Sequence, residues 1–111
     1  MSKQLITEVA GVIAAPVERV WPALVEATPR TELGEHSLAY QGGWWYRGEW
    51  SVTADPEGTR LVHRVYNVAG NYWAVALANR LFIGFRERTR RSFAEGLVRI
   101  GKQLGCATRL A

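Results

Sequence analysis

The amino-acid sequence predicts an α+β fold in which a curved antiparallel β-sheet packs on a long C-terminal α-helix. Three observations carry this prediction. Residues 44–53 alternate between apolar and polar side chains, as a strand with one buried face does. Residues 55–58, Asp-Pro-Glu-Gly, have the composition of a tight turn that would join this strand to the next. Residues 72–104 contain no proline, and their apolar side chains recur at helical spacing.

The first elements are a strand and a short helix. Residues 3–13 alternate loosely and predict the strand. Pro16 ends it and suits the first turn of a helix, which we place at residues 17–27. Pro22 lies inside this helix, so we expect a kink or a division into two short turns. Thr28 and Pro29 then end the helix.

The middle of the chain predicts three strands of an antiparallel meander. Residues 30–35 are polar and predict a loop, and residues 36–41 form the first strand. Gly42 and Gly43 indicate a two-residue hairpin turn before the strand at 44–53. The third strand spans 59–68. Its inward-facing residues are Leu61, His63 and Val65.

The last element is predicted to be one helix over residues 72–104. Its buried face comprises Val75, Phe82, Phe93, Leu97, Ile100 and Leu104. After Phe85 the opposite face is charged and typical of a solvated surface. Before Phe85 the helix is apolar all round, so its N-terminal half must be covered by the sheet and by something else: a loop, a ligand or a second subunit.

Size and composition indicate a single domain spanning 1–111. Hydrophobic residues make up 48% of the chain, which is typical of soluble globular proteins. Neither a secretory signal nor a transmembrane span is predicted, and the single Cys106 fits a reducing cytoplasm. With only two histidines, both far from that cysteine, we expect no metal and no cofactor.

The net charge of +4 arises mainly from arginines late in the chain. A phosphate-binding stripe is one interpretation, and a solvated helix face is the other. Glu87 and Glu95 interrupt the basic residues, and no aromatic side chain accompanies the arginines on this face. We therefore expect no nucleic-acid partner and, at most, peripheral contact with anionic membranes.

Several segments together resemble the START-like superfamily of polyketide cyclases and lipid-transport proteins. They are Val-Ile-Ala-Ala-Pro at 12–16 with Val-Glu-Arg-Val-Trp at 17–21, Tyr-Arg-Gly-Glu-Trp-Ser-Val at 46–52, Asp-Pro-Glu-Gly-Thr-Arg-Leu-Val-His-Arg at 55–64, and Phe-Ala-Glu-Gly-Leu at 93–97. The resemblance implies a helix-grip fold with an apolar cavity between the sheet and the last helix. Members of this superfamily usually have about six or seven strands, whereas four are predicted here, so either the cavity is shallow or a second copy completes it.

The resemblance also implies where a hydrophobic ligand such as a lipid or a polyketide would bind. The ligand-binding candidates are Trp21, Tyr46, Trp50, Leu61, His63, Val65, Trp73, Leu77, Leu81 and Phe85. The main expectation is therefore a module that binds a small hydrophobic molecule. A cyclase- or dehydrase-like enzyme is the first alternative, and a homodimeric interaction protein that buries Trp73, Leu77 and Leu81 is the second.

His63 is the candidate acid/base of the enzyme alternative, with Tyr46 or Tyr66 as its hydrogen-bonding partner. It lies on an apolar face, where its pKa could be tuned. The other interpretation is a core histidine that is hydrogen-bonded to a carbonyl. Trp45, on the outer face of its strand, could serve an interface, a ligand or cross-strand packing.

Overall fold

Six antiparallel strands and two helices make up the part of the chain described by the structure, a computed structural model that describes residues 4–43, 45–68 and 84–111. In order they are β1 (Gln4–Ile13), α1 (Val17–Ala27), β2 (Glu32–Leu33), β3 (Ser37–Gly42), β4 (Tyr46–Asp55), β5 (Gly58–Asn67), α2 (Phe85–Leu104) and β6 (Thr108–Leu110). The predicted α+β class is confirmed. The arrangement is of the helix-grip kind, with the sheet packed against the C-terminal helix.

The strands form one sheet in the order β2-β3-β4-β5-β1-β6. The β4–β5 hairpin is the best-predicted part of it. Asp55 pairs with Gly58, so Pro56 and Glu57 form a two-residue turn. The Glu57 backbone N–H donates a hydrogen bond to Asp55 Oδ1 at 2.9 Å. Gly58 has a φ of 137°, which side-chain-bearing residues rarely adopt.

Two of the six strands were not predicted. Residues 32–33, assigned to a loop, form the short edge strand β2, which pairs with β3. Residues 108–110, beyond the predicted elements, form β6 at the other edge, which pairs with β1. The expectation of fewer strands than usual is therefore wrong: four strands were counted and six are described. With six strands in the sheet, the strand count gives no reason to expect a shallow or shared cavity.

The C-terminal helix begins later than predicted. Gly84 precedes its first residue, Phe85, with a left-handed φ of 88°, so a continuous helix through residue 84 is wrong. Residues 72–83 of the predicted helix lie outside the described residues. At the other end, Gly105 has a φ of 67°, and the Cys106 N–H donates to the Gly101 carbonyl at 2.9 Å. This is the usual glycine-dependent way to end a helix.

Helix α1 confirms the predicted bounds and corrects one detail. It runs through Pro22 without being divided. Its N-terminal part is tied to α2 by Arg19, whose guanidinium Nη2 donates to the Leu104 carbonyl at 2.8 Å. Because the last carbonyls of a helix have no partner within it, this contact satisfies one of them. The residues that the structure describes include no helix long and apolar enough to cross a membrane.

The hairpin before β4 is longer than predicted. Gly42 pairs with Tyr46, so three residues, 43–45, connect the strands instead of two. Trp45 therefore lies in the turn and not on the outer face of a strand. Its ring contacts Phe85 edge-on, with the centroids 5.8 Å apart. This contact with α2 differs from the cross-strand packing considered for Trp45, and its interface and ligand roles stay predictions. Trp44 lies outside the described residues.

The core lies between the sheet and the two helices. It combines strand residues with α1 and with one face of α2. Its members include Val9, Ile13, Val20, Leu24, Leu38, Val52, Leu61, Phe93, Leu97 and Ile100. The predicted buried face of the last helix is confirmed at Phe93, Leu97 and Ile100. Burying each such side chain stabilises the fold by about 1.5–3 kcal/mol.

Candidate functional site: an aromatic cavity between sheet and helix

A cavity of about 640 Å³ lies between the sheet, the end of α1 and one side of α2. This volume falls in the range of small-molecule sites. Its described lining residues are Leu24, Ala27, Thr28, Pro29, Tyr46, Trp50, Leu61, His63, Phe85, Arg88, Thr89, Ser92, Phe93, Gly96, Leu97, Arg99, Ile100 and Gln103. They include aromatic rings from both the sheet and the helix, with polar groups along one side.

The sheet contributes one wall through alternate residues of β4 and β5. Trp50 pairs with His63 across the two strands, and Val52 pairs with Leu61. Because side chains two residues apart on a strand share a face, Tyr46 and Trp50 of β4 lie on the same side of the sheet as Leu61 and His63 of β5. The alternation visible in the sequence thus places these four residues on one wall.

His63 is the buried titratable residue in this wall. Its side chain is only 7% exposed. The imidazole ring stacks on Trp50, with centroids 4.2 Å apart, and lies within 3° of parallel to Phe93. Nδ1 is 3.1 Å from the Glu49 carbonyl oxygen. Since a carbonyl can only accept, Nδ1 carries the proton and Nε2 keeps its lone pair in the neutral ring.

Burial also determines the charge state of His63. Desolvation lowers the pKa of its imidazole, and the hydrogen bond to the Glu49 carbonyl opposes this only partly. The ring is therefore neutral at neutral pH. No described residue forms a hydrogen bond with Nε2. His63 thus offers the cavity one hydrogen-bond acceptor.

Tyr46 lies at the same wall, above a glycine. A Cβ at Gly48 would be 2.7 Å from the Tyr46 hydroxyl and 3.0 Å from Trp50 Cη2, so glycine leaves room for both aromatic side chains. Tyr40 lies beside Tyr46, with ring centroids 6.2 Å apart. Burial, and secondarily the charge of Tyr40, raise the pKa of the Tyr46 hydroxyl. The phenol is therefore a neutral donor at neutral pH.

Helix α2 contributes the opposite wall through two adjacent stripes. Phe93, Leu97 and Ile100 are buried and apolar. Next to them lies a more exposed stripe at helical spacing: Ser92, Gly96, Arg99 and Gln103. Nearer the helix start, the Arg88 guanidinium lies 6.0 Å from the centroid of the Phe85 ring. The helix thus presents an apolar surface with a polar, basic border.

The structure places the ten predicted ligand-binding residues unevenly. Tyr46, Trp50, Leu61, His63 and Phe85 line the cavity. Trp21 and Val65 are not among its described lining residues: Trp21 packs against the core and contacts His36 edge-on at 5.9 Å, and Val65 is fully buried. Trp73, Leu77 and Leu81 lie outside the described residues. Of the two tyrosines proposed as partners of His63, Tyr46 lines the cavity and Tyr66 is not among its described lining residues.

The sequence prediction missed two parts of the lining. One is the end of α1, where Leu24, Ala27, Thr28 and Pro29 close one side of the cavity. The other is the polar stripe on α2, where Arg88 and Arg99 were assigned to a solvated face. Both arginines are exposed and also border the cavity, so the helical pattern was correct but incomplete.

Metal-ligating residues do not cluster in the part of the chain that the structure describes: no group of three His, Cys, Asp or Glu occurs there. Cys106 is a half-buried free thiol beyond the end of α2.

A cluster of ion pairs lies on the outer face of the sheet. There, Arg47 donates to Glu32 at 2.5 Å and to Glu49 at 2.9 Å, which raises the Arg47 pKa. Each of these charged side chains thus has a partner of opposite charge within the chain.

In comparisons with known proteins, no family model, no curated protein and no solved structure matches this chain. The cavity and its residues are therefore the basis for inferring a function.

Proposed function

We propose that this protein binds a small hydrophobic molecule, such as a lipid or a polyketide, in the cavity between β4, β5 and α2. The observation that carries the proposal is the cavity itself, with a volume of about 640 Å³ and the rings of Trp50, Phe85 and Phe93 in its walls. Apolar concave sites with a few polar groups are typical of small-molecule binding. The START-like resemblance of the sequence favours the same function.

The polar side chains at the border of the cavity allow a ligand to have a polar group that stays near water. The buried part of α2 offers only apolar side chains, whereas Arg88, Arg99 and Gln103 border the cavity and are exposed. A bound molecule could therefore bury its hydrocarbon part against Phe93 and Leu97 and keep a polar group near water. This arrangement resembles the way amphipathic molecules place one end in water and the other in an apolar site.

Binding can be tested by identifying the molecules that the protein retains after incubation with lipids. The purified protein is incubated with a total lipid extract, separated from free lipid and analysed by native mass spectrometry. We expect a population whose mass exceeds that of the chain by one hydrophobic molecule. If the spectrum contains only the unliganded chain at every lipid concentration, the proposal is wrong.

An acid–base enzyme is the second candidate, and the lowered pKa of His63 favours it. A neutral imidazole can accept a proton, and the Tyr46 hydroxyl in the same cavity could donate a hydrogen bond to the substrate. No carboxylate belongs to the described lining residues, so His63 would be the base. Once a substrate is known, His63→Ala should abolish turnover. Unchanged turnover in that variant would eliminate this mechanism.

The remaining expectations stay predictions. A homodimer that buries Trp73, Leu77 and Leu81 concerns residues outside the described part of the chain, and light scattering at micromolar concentration tests it directly. A cytoplasmic location rests on the single cysteine of the sequence. Peripheral contact with anionic membranes, through which the protein could collect a lipid, rests on its net charge of +4.

A further inference from the structure

The hydrogen bonding of His63 restricts what the cavity can bind. This side chain is buried, with 7% of its surface exposed, and it lines the cavity. Among the described residues, no fully buried side-chain nitrogen or oxygen lacks a hydrogen-bond partner, so a ring nitrogen of His63 without a partner is accessible to a molecule in the cavity. Nδ1 has one in the Glu49 carbonyl, 3.1 Å away. Nε2 has none among the described residues.

The position of Nε2 follows from the rest of the ring. Nδ1 is directed at the backbone of β4, and Nε2 lies on the other edge of the imidazole. The imidazole plane is held in place by the Trp50 ring, whose centroid lies 4.2 Å away, and by the parallel ring of Phe93. Because His63 lines the cavity, Nε2 is the polar atom that it can offer to a bound molecule. The lone pair on Nε2 accepts a hydrogen bond and cannot donate one.

We propose that the ligand of this cavity is an apolar alcohol or phenol whose hydroxyl group donates a hydrogen bond to His63 Nε2. This inference rests on the proposed function and specifies the chemical class of its ligand. Hydrocarbons, ethers and esters of the same shape lack the donor and leave Nε2 unpaired. A site built to hydrogen-bond a hydroxyl discriminates against such analogues more strongly than a purely apolar site does.

Two probes of nearly equal shape test the inference by isothermal titration calorimetry at neutral pH. 2-Naphthol carries the hydroxyl donor, and 2-methoxynaphthalene replaces it with an ether. We expect 2-naphthol to bind about five- to tenfold more tightly, the usual contribution of one neutral hydrogen bond. In His63→Phe the two affinities should become equal. In the matched control His36→Phe, which changes the exposed histidine outside the cavity lining, the preference should persist.

The outcomes separate this inference from the proposed function. If both probes bind wild-type protein equally, or if His63→Phe keeps the preference, the hydroxyl inference is wrong and hydrophobic binding stands. If neither probe binds, the hydroxyl inference is wrong, and the retention of lipid measured by native mass spectrometry decides separately on the proposed function. Binding of 2-naphthol with a preference that His63 controls supports both.

A second measurement needs no variant and covers the case in which His63→Phe does not fold. The ¹⁵N chemical shifts of the imidazole distinguish a protonated nitrogen from one with a lone pair. We expect Nε2 of His63 to be unprotonated and its signal to move on addition of 2-naphthol, as expected for an accepted hydrogen bond, but not of 2-methoxynaphthalene. An Nε2 that carries the proton, or a signal that responds equally to both probes, would overturn the inference.

Discussion

His63 shows how one residue can follow a strand pattern and still be chemically unusual. Its place on the inner face of β5 follows from alternation with Leu61 and Val65, and its burial follows from that face. The fold then adds a hydrogen bond from Nδ1 to the Glu49 carbonyl and a stacked Trp50 ring. Burial favours the neutral imidazole because it penalises the charged form, and the hydrogen bond to the Glu49 carbonyl opposes this only partly.

The lowered pKa of His63 predicts that acid destabilises the fold. An unfolded histidine has a pKa of about 6.5. Below that pH the unfolded chain binds a proton that folded His63 does not, so the free energy of unfolding should fall as pH decreases from about 6.5 towards the folded-state pKa. The stabilisation is fully present above about pH 6.5 and is lost through this window. Urea denaturation between neutral pH and mildly acidic pH measures it.

The contribution of His63 is isolated by substitution. In His63→Phe the slope of stability against pH over this window should be smaller than in the wild type. His36→Gln removes the other histidine, which is exposed, and should keep most of the wild-type slope. An equal slope in wild type and His63→Phe would show that burial of His63 does not control its protonation.

At the scale of secondary-structure elements, the contact between β1 and α2 is tight at one point. A Cβ at Gly11 would clash with Leu97 Cδ1 and would lie 3.1 Å from the Arg109 carbonyl oxygen. Gly11→Ala should therefore push α2 away from the sheet and lower the free energy of unfolding by about 1–3 kcal/mol, as overpacking does. Chemical denaturation checks this. Gly96→Ala is the matched control and should not destabilise the fold, because among the described residues an added Cβ would meet only Arg99 Nη2, at 3.8 Å.

The same helix allows the cavity to be filled without damage to the fold. Gly96 lines the cavity, and Arg99 is the one described residue within 4 Å of a Cβ placed there. Gly96→Leu should place a side chain in the cavity and block binding of hydrophobic probes. Because leucine favours a helix over glycine, the free energy of unfolding should rise by up to about 1 kcal/mol. Calorimetric titration and denaturation of the same sample report both effects.

A matched control separates filling of the cavity from a general change in surface hydrophobicity. Glu95→Leu adds the same side chain at the neighbouring exposed position, outside the described lining of the cavity. It should leave probe binding unchanged. If Gly96→Leu binds probes as wild type does, the cavity is not where they bind.

The elements differ in how far the sequence determines them. Strand β4 and the turn at 55–58 were predictable because alternation and turn residues act locally. Strands β2 and β6 were not, because two or three residues carry no periodicity and are held by pairing with β3 and β1. Gly84 shows a different limit of the sequence pattern. The predicted helix runs through this residue, whereas its left-handed backbone makes Phe85 the first residue of α2. The glycine was visible, but a helical pattern does not reveal a positive φ.

At the scale of the whole molecule, α2 carries a concentration of positive charge. Its exposed basic residues are Arg86, Arg88, Arg90, Arg91, Arg99 and Lys102. We expect the protein to sediment with phosphatidylserine-containing vesicles at low ionic strength and to be released at high ionic strength, because salt screens surface charges. Phosphatidylcholine vesicles are the control and should bind less. Salt-independent sedimentation with both lipids would contradict an electrostatic contact.

The candidate site was predictable only in part, and the reason lies in its geometry. One strand face supplies Tyr46, Trp50, Leu61 and His63, so sequence alternation found them together. The opposite wall combines a helix with the end of α1, and residues such as Pro29 and Gln103 meet there only through tertiary packing. No sequence pattern links positions so far apart. The hydrogen bond of His63 Nδ1 to a backbone carbonyl is equally invisible in the sequence.

The location of bound ligand is the most direct test that the cavity between sheet and helix is the binding site. Intermolecular nuclear Overhauser effects between 2-naphthol and the methyl groups of the labelled protein provide this measurement. We expect contacts to Leu24, Leu61 and Leu97, which line the cavity from α1, β5 and α2. Contacts confined to Leu5 and Leu33, which are exposed outside its described lining, would contradict binding in the cavity.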